Sequence, residues 1–274
     1  MTRAKTNGIE VEYEITGEGE PLLLIMGLGA QLLSWRTDLR AEWVSRGFQV
    51  IAFDNRDVGL STKIEDGSAY TLWDMAADAA GLLDVLRIDN AHVVGASMGG
   101  MIAQSLAIRH PERVRSLTSI MSTTGDASVG QAEAHIVALM LQPAQQEREA
   151  RIAQSLTATR AMWGDESVFP FDEASARELA EMNYDRSFYP AGVIRQLQAI
   201  MQSGDRTEAL RELRIETLVV HGDADPLVTL SGGEATAAAI PGAEFIVIPG
   251  MGHSLPRPMW PTLVEAVAKL AARA

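Results

Sequence analysis

The sequence predicts an α/β fold in which a mostly parallel, twisted sheet is covered by helices on both of its faces. Short apolar runs alternate along the chain with helix-length amphipathic segments, the order that builds a parallel sheet with crossover helices. Most of the runs are apolar at consecutive positions, as expected for strands that are buried on both sides. The length of 274 residues and the hydrophobic share of 47% suit one large domain with a well-filled core.

The individual strands are predicted from the pattern of apolar side chains. Residues 9–15 alternate between apolar and polar with period 2, which predicts a half-exposed strand at a sheet edge. A turn at 17–21 leads into residues 22–26, an uninterrupted apolar run that predicts a buried strand. Further apolar runs predict strands at 49–53, 91–95, 117–121, 217–220 and 244–248. Helical periodicity predicts helices near 72–87, 98–110 and 259–273.

Strand and helix stop alternating between about residues 124 and 210. This stretch is rich in Ala, Gln, Glu and Arg, and it has helical periodicity without a convincing strand. We therefore expect a core domain formed by residues 1–123 and 211–274, with residues 124–210 inserted as a helical lid over the carboxyl ends of the strands. The alternative is a set of helices that pack on the core and have no gating role.

Charge and composition argue against several classes of site. The formal net charge of −13, from 23 basic and 36 acidic residues, argues against a surface for nucleic acid. The absence of cysteine excludes disulfides, thiolate catalysis and thiolate metal ligands. No group of residues has metal-ligand spacing, and Gly27-Leu28-Gly29 lacks the third glycine of a dinucleotide site. We expect neither a metal nor a cofactor.

No segment of the sequence predicts contact with a membrane. Residues 1–8 contain no apolar run of the kind found in secretory signals. The apolar stretch that begins at Leu22 is interrupted by Gly27 and Gly29 before it could span a bilayer. We therefore expect a cytoplasmic protein without a membrane partner, and the sequence leaves its oligomeric state open.

The most informative motif is Gly95-Ala96-Ser97-Met98-Gly99, which has the form G-x-S-x-G. It follows an apolar strand and precedes a helical segment, the context of a nucleophile elbow. Glycines two residues before and after the serine let the backbone segments approach closely, and the turn lifts the Ser97 hydroxyl out of the sheet. The backbone N–H of Met98, at the start of the helix, is free to bind an oxyanion. The alternative is a glycine-rich packing turn without chemistry.

The sequence resembles the α/β-hydrolase family over nearly its whole length, least clearly in the helical insertion. Four segments carry the resemblance: 26–29, 54–62, the elbow at 95–99, and 250–253. Within the family the chain is most similar to the branch of bacterial esterases that contains aclacinomycin methylesterase. The resemblance implies an α/β-hydrolase fold and a hydrolase whose serine works with a histidine and an acidic residue.

A serine hydroxyl is a poor nucleophile without a base, and five histidines could supply one. His253 lies in the segment 249–253 after the last apolar strand, where the family places its catalytic histidine. Two glycines before it suit a mobile loop that delivers the ring to Ser97. His92 and His221 lie at strand ends and are interpreted as structural.

The acidic residue is expected after the strand at 217–220, where Asp223 and Asp225 compete. The family pattern H-G-x-x-D selects Asp225, whose carboxylate would orient His253 and stabilise its imidazolium form. Asp223 is then interpreted as a loop-capping residue, and the alternative exchanges the two roles. The order Ser, Asp, His is the one expected of this fold.

The resemblance also implies a second oxyanion donor, the backbone N–H of Leu28 in the loop after the buried strand. Many relatives have His-Gly at this point, whereas this chain has Met26 before Gly27, a change that leaves the backbone donor in place. The alternative is a plain turn without a catalytic part. The segment 54–59 matches a family turn that we interpret as structural support behind this loop, although Asp57 stands where glycine is usual.

These residues predict a serine hydrolase that cleaves carboxylic esters of small to medium, largely apolar substrates through an acyl-enzyme. Serine at the elbow argues against the dehalogenases and epoxide hydrolases of the family, which use aspartate there. Hydrolysis of lactones, thioesters or carbon–carbon bonds by the same residues remains an alternative. A ligand receptor that keeps the fold but hardly turns over is the alternative from another class.

Overall fold

The computed structural model describes residues 2–274, in which eight strands form a single sheet. The strands are β1 (Thr2–Thr6), β2 (Ile9–Thr16), β3 (Glu20–Ile25), β4 (Phe48–Phe53), β5 (Ala91–Ala96), β6 (Val114–Ile120), β7 (Glu216–Gly222) and β8 (Glu244–Ile248). Their order across the sheet is β1-β2-β4-β3-β5-β6-β7-β8. β1 and β2 are antiparallel, β2 is antiparallel to β4, and the remaining pairs are parallel. The predicted mostly parallel sheet is therefore confirmed.

Helices cover both faces of this sheet. They are α1 (Thr37–Ser45), α2 (Leu72–Leu86), α3 (Met98–Arg109), α4 (Ala134–Met140), α5 (Arg148–Ala161), α6 (Glu173–Arg186), α7 (Pro190–Ser203), α8 (Thr207–Arg211), α9 (Leu230–Ala239) and α10 (Trp260–Ala271). Successive side chains of a strand point to opposite faces. Leu23 and Ile25 of β3 accordingly pack with α2 and α3, whereas Leu22 and Leu24 pack with α1 and α10. Each face thus has its own apolar core.

The edge of the sheet differs from the sequence-based prediction. The strand predicted at the edge corresponds to β2, but β1 covers it and is itself the edge strand. β1 reads Thr-Arg-Ala-Lys-Thr and has no apolar run, so the apolar pattern does not mark it as a strand. Charged residues such as Arg3 and Lys5 are common on edge strands because they discourage pairing with another chain.

The five helices α4 to α8 lie between β6 and β7 along the chain. α5 and α6 pack against each other, and α4 contacts α5. The last part of this stretch joins the core, because Ala199 of α7 and Leu210 of α8 are completely buried in the cluster formed with α2 and α3. No helix within residues 2–274 is both long enough and apolar enough to cross a bilayer.

β3, β5 and α3 meet at a point where side chains do not fit. A Cβ atom on Gly95 would lie 2.2 Å from the carbonyl oxygen of Gly99, and a Cβ atom on Gly99 would lie 2.0 Å from the carbonyl oxygen of Ile25. Real Cβ atoms do not approach backbone oxygens so closely, and backbone atoms between two core strands cannot move aside cheaply. The two outer glycines of the G-x-S-x-G motif are therefore required by packing.

Replacing Gly99 by alanine should destabilise the protein by at least about 3 kcal/mol, because the added methyl group overlaps a backbone carbonyl between two packed elements. Urea unfolding followed by circular dichroism measures this loss. Gly67→Ala is the matched control, because a Cβ atom there meets nothing within 4 Å and only the φ of +77° is unfavourable. That change should cost about 1–2 kcal/mol. Equal losses for the two variants would contradict the close packing at Gly99.

Candidate active site

Ser97 lies between β5 and α3 in a conformation that side chains rarely adopt, with φ 57° and ψ −124°. Strained backbone angles of this kind are concentrated at functional sites. Its backbone N–H donates to the carbonyl oxygen of Ile120, which ties the turn to the neighbouring strand β6. The turn leaves the Ser97 hydroxyl at the carboxyl end of the sheet, where β5 gives way to α3.

The side chains of Ser97, His253 and Asp225 form a continuous hydrogen-bonded row. His253 Nε2 lies 2.8 Å from Ser97 Oγ, and His253 Nδ1 lies 2.7 Å from Asp225 Oδ2. An ionised carboxylate only accepts hydrogen bonds, so the Nδ1–H donates to Asp225. Nε2 is then left to accept the Ser97 proton, which is the arrangement that makes a serine hydroxyl nucleophilic.

Asp225 is held by more than the histidine. Its side chain is fully buried, and Oδ1 accepts from the backbone N–H groups of Leu227 at 2.9 Å and Val228 at 3.0 Å. The buried His221 ring places its Nε2 2.7 Å from the carbonyl oxygen of Val228, to which it donates. Asp223 contacts another group, because its Oδ1 accepts from the backbone N–H of Gly250 at 2.7 Å.

The loop that precedes His253 is paired with the helical insertion. The backbone N–H of His253 donates to the carbonyl oxygen of Met162 at 2.7 Å, and that of Gly252 donates to Trp163 at 3.0 Å. A Cβ atom on Gly252 would lie 2.4 Å from the Met162 oxygen. The glycine therefore serves close packing against the insertion, and the mobility expected of this segment stays a prediction.

The two proposed oxyanion donors border Ser97. Met98 is the first residue of α3, where a backbone N–H has no acceptor within the helix. Gly27 is so close to Ser97 that a Cβ atom on it would lie 2.9 Å from the Ser97 Cβ atom. The loop after β3 therefore passes directly beside the elbow with Leu28 as its next residue. Within residues 2–274, the N–H groups of Leu28 and Met98 donate to no protein acceptor.

The turn after β4 supports this loop. Asn55 Nδ2 donates to the carbonyl oxygen of Met26 at 2.8 Å, and Asp54 Oδ1 accepts from the backbone N–H of Leu32 at 2.8 Å. Asp57 has a φ of 71°, a conformation that glycine adopts most readily, in keeping with the glycine that the family resemblance leads one to expect here. Its carboxylate forms a bidentate ion pair with Arg195 of α7, with both N–O distances about 3 Å.

Two polar residues that contact the loops beside Ser97 were not predicted from the sequence. Gln196 on α7 accepts from the backbone N–H of Gly29, and Arg186 at the end of α6 contacts Asp54 and Gln31. Both lie in an insertion whose pattern is only that of amphipathic helices, where polar residues are expected in any case. In the part of the chain that the structure describes, no group of three or more His, Asp or Glu side chains is placed to hold a metal ion.

The chain matches a known protein family over most of its length. The sequence model of the alpha/beta hydrolase fold matches residues 20–256, which include every candidate residue of the site. The chain belongs to the α/β-hydrolase fold family. The family predicted from the elbow and its flanking segments is therefore confirmed.

Relatives of this α/β-hydrolase include enzymes with different substrates. Rhodomycin D methylesterase of Streptomyces peucetius is 29% identical over an alignment that covers 97% of this chain and 96% of that enzyme. A 2-hydroxymuconate semialdehyde hydrolase of Pseudomonas putida is 32% identical over 251 residues, which cover 90% of this chain and 85% of that enzyme. A thermophilic esterase of Thermogutta terrifontis superposes with a TM-score of 0.79 and 26% identity, over 100% of this chain and 99% of its own. All three are hydrolases.

The stability of this α/β-hydrolase should depend on pH through His221. Burial lowers the pKa of the His221 imidazole below its ordinary value of 6.5. As the pH falls, the imidazole therefore binds a proton in the unfolded chain before it does so in the folded chain. Stability therefore falls as pH falls below about 6.5. The free energy of unfolding of the wild type, minus that of His221→Gln, should decrease between about pH 7.5 and pH 5.5. Urea titrations of both proteins at several pH values measure this difference in unfolding free energy. A difference that does not change with pH would contradict the lowered pKa of His221.

Proposed function

We propose that this protein is a serine hydrolase that cleaves carboxylic esters through an acyl-enzyme. Ser97 is the nucleophile, His253 the general base and acid, and Asp225 the residue that orients the imidazole. The observation that carries the proposal is the hydrogen-bonded row with Oγ–Nε2 and Nδ1–Oδ2 distances of 2.8 and 2.7 Å. Such a row at a strand–turn–helix elbow is the arrangement used for acyl transfer.

The proposed reaction has two halves. Ser97 Oγ attacks the ester carbonyl carbon while its proton passes to His253 Nε2, and the backbone N–H groups of Leu28 and Met98 bind the oxyanion. The imidazolium then gives the proton to the leaving alcohol as the carbon–oxygen bond breaks, which leaves an acyl-enzyme. Water then attacks the acyl carbon while the same imidazole takes its proton, and the imidazolium returns that proton to Ser97 Oγ as the acyl–Oγ bond breaks, which releases the acid.

We further propose that residues 124–210 form a lid over this site, as their position between β6 and β7 suggests. Two cations of this insertion reach the loops beside the site, and both are already paired, Arg186 with Asp54 and Arg195 with Asp57. Such neutralised cations favour an uncharged, largely apolar ester of small to medium size over an acidic substrate.

The relatives support ester hydrolysis, and one of them is a reason to test carbon–carbon bond hydrolysis as well. A methylesterase and an esterase are among them, whereas the Pseudomonas putida relative is named for a semialdehyde. Turnover of a panel of p-nitrophenyl esters, lactones, thioesters and carbon–carbon bond substrates compares these reactions directly. The proposal expects the highest kcat/KM with an ester. Stoichiometric binding without turnover of any member would indicate a receptor instead.

Replacing Ser97 by alanine should leave the fold intact and lower kcat for p-nitrophenyl butyrate by at least about 10³-fold, because the nucleophile is lost. Ser105→Ala is the matched control, because the Ser105 hydroxyl is buried on α3 and donates only to its own helix, at Met101. The control should retain wild-type kcat and covalent labelling by a fluorophosphonate. Retention of more than about a tenth of the activity by Ser97→Ala would exclude Ser97 as the nucleophile.

The two aspartates should respond differently to asparagine. In Asp225→Asn the amide oxygen can still accept from the Leu227 and Val228 N–H groups, but the new N–H₂ group faces His253 Nδ1 and favours the wrong tautomer. We expect this change to lower kcat by at least about 10²-fold, compared with about 10⁴ for the corresponding change in a serine protease that uses the same mechanism. Asp223→Asn should cost less than about threefold, because an amide oxygen can still accept from Gly250.

The comparison is made by steady-state kinetics on variants whose folding has been verified by circular dichroism. An inactive Asp223→Asn together with an active Asp225→Asn would reverse the assignment of the two carboxylates.

A further inference from the structure

Gln196 joins two loops that meet beside the nucleophile. Its side chain is completely buried, and Oε1 accepts from the backbone N–H of Gly29 at 2.8 Å. Its Nε2 donates to the carbonyl oxygen of Arg56, also at 2.8 Å. One amide group from the insertion therefore satisfies one backbone group in the loop after β3 and another in the turn after β4.

The first turn of α7 packs directly on the same two loops. A Cβ atom on Gly192 would lie 2.1 Å from the carbonyl oxygen of Asp57, and a Cβ atom on Gly29 would lie 3.0 Å from Val193 Cγ2. Contacts this close leave no room for a water layer between the helix and the loops. The position of α7 therefore determines where Gln196 meets the loop after β3.

The ion pair between Asp57 and Arg195 fixes that position. The Asp57 side chain is fully buried, and both of its oxygens contact the Arg195 guanidinium, whose pKa the pairing raises above its ordinary value. Asp57, whose φ is positive, also accepts from the backbone N–H of Ile64 through Oδ1. Arg195 further donates to the Tyr189 hydroxyl at 2.8 Å. A bidentate pair with a fully buried carboxylate resists sliding of the helix.

We propose that Gln196 is a positioning residue that fixes the Leu28 oxyanion donor. We further propose that the Asp57–Arg195 pair fixes α7 so that Gln196 lies opposite the backbone N–H of Gly29. The inference rests on the proposed function of the site. The loop contains Gly27 and Gly29, which by themselves leave the backbone wide conformational freedom. The bond from Gln196 fixes the Leu28–Gly29 peptide, so the adjacent Gly27–Leu28 peptide presents its N–H to the oxyanion without reorganising.

The test is Gln196→Met in the full-length protein, a change that keeps the volume and removes both hydrogen bonds. We expect kcat for p-nitrophenyl butyrate to fall by at least about tenfold, because a misplaced donor loses strength in the transition state. KM should change by less than about threefold, since the donor contributes little to ground-state binding. The rate of labelling of Ser97 by a fluorophosphonate should fall with kcat.

Gln104→Met is the matched control. Gln104 is as deeply buried as Gln196, but its partners are Ser119 and Arg206, away from the loop after β3. It should lose stability in urea to a similar degree and keep kcat within about twofold of the wild type. A fall in kcat equal to that of Gln196→Met would show that lost core stability alone explains the effect, and would overturn the inference.

Asp57→Gly provides a second measurement, which decides the question if Gln196→Met does not fold. Glycine suits a φ of 71°, and the partly exposed Arg195 can turn towards solvent, so the variant should fold. Loss of the anchor should lower kcat by at least about threefold with KM nearly unchanged. Wild-type kcat in this variant, or in folded Gln196→Met, overturns the inference.

Failure of the inference is separable from failure of the proposed function. If Ser97→Ala is inactive while Gln196→Met has wild-type kcat, the nucleophile stands and the positioning role of Gln196 is wrong. If Ser97→Ala remains active and the fluorophosphonate labels no residue, the proposed function itself is wrong and the role of Gln196 falls with it.

Discussion

Three backbone segments approach one another at the elbow more closely than side chains allow, and the rest of the site depends on this approach. Gly27, Gly95 and Gly99 each occupy a place where a Cβ atom would overlap a neighbouring residue. The close contact forces the turn at Ser97, holds the loop after β3 against the hydroxyl, and starts α3 with its N–H groups facing the same point. The positions of the proposed nucleophile and of both proposed donors therefore depend on the same close packing of three glycines.

The helical insertion supports the site from two sides. At one side, Met162 and Trp163 accept hydrogen bonds from the loop that bears His253. At the other, Gln196 and Arg195 bind the loops that border Ser97. The insertion is thus part of the framework that sets distances within the site, and its last helices also contribute to the core of the domain. Any substrate-dependent motion of the insertion would act on both sides at once.

The sequence predicted those features that arise from residues close together in the chain. The elbow could be predicted because a strand, a turn and a helix are contiguous, whereas Asp225 was chosen over Asp223 by resemblance to the family pattern that begins at His221. The roles of Gln196 and Arg195 could not be predicted, because their partners lie 167 and 138 residues away in the chain. Gln196 also binds backbone atoms, which have no sequence signature. The polar edge strand β1 was missed because apolar patterning reports only burial.

The antiparallel bridge between Gly164 and Met251 bears on how such enzymes diverge. Insertions between two core strands are natural modules for recombination, because chains tolerate added segments in the loops between core elements. Here the middle of the module, at residues 162–164, takes part in a hydrogen-bonding pattern that includes the amide of His253. A chimera that takes the insertion from a relative would therefore lose the matching hydrogen bonds between residues 162–164 and 251–253. It would keep them only if it also took residues 250–253 from the same parent. Productive crossovers should exchange these two distant segments together.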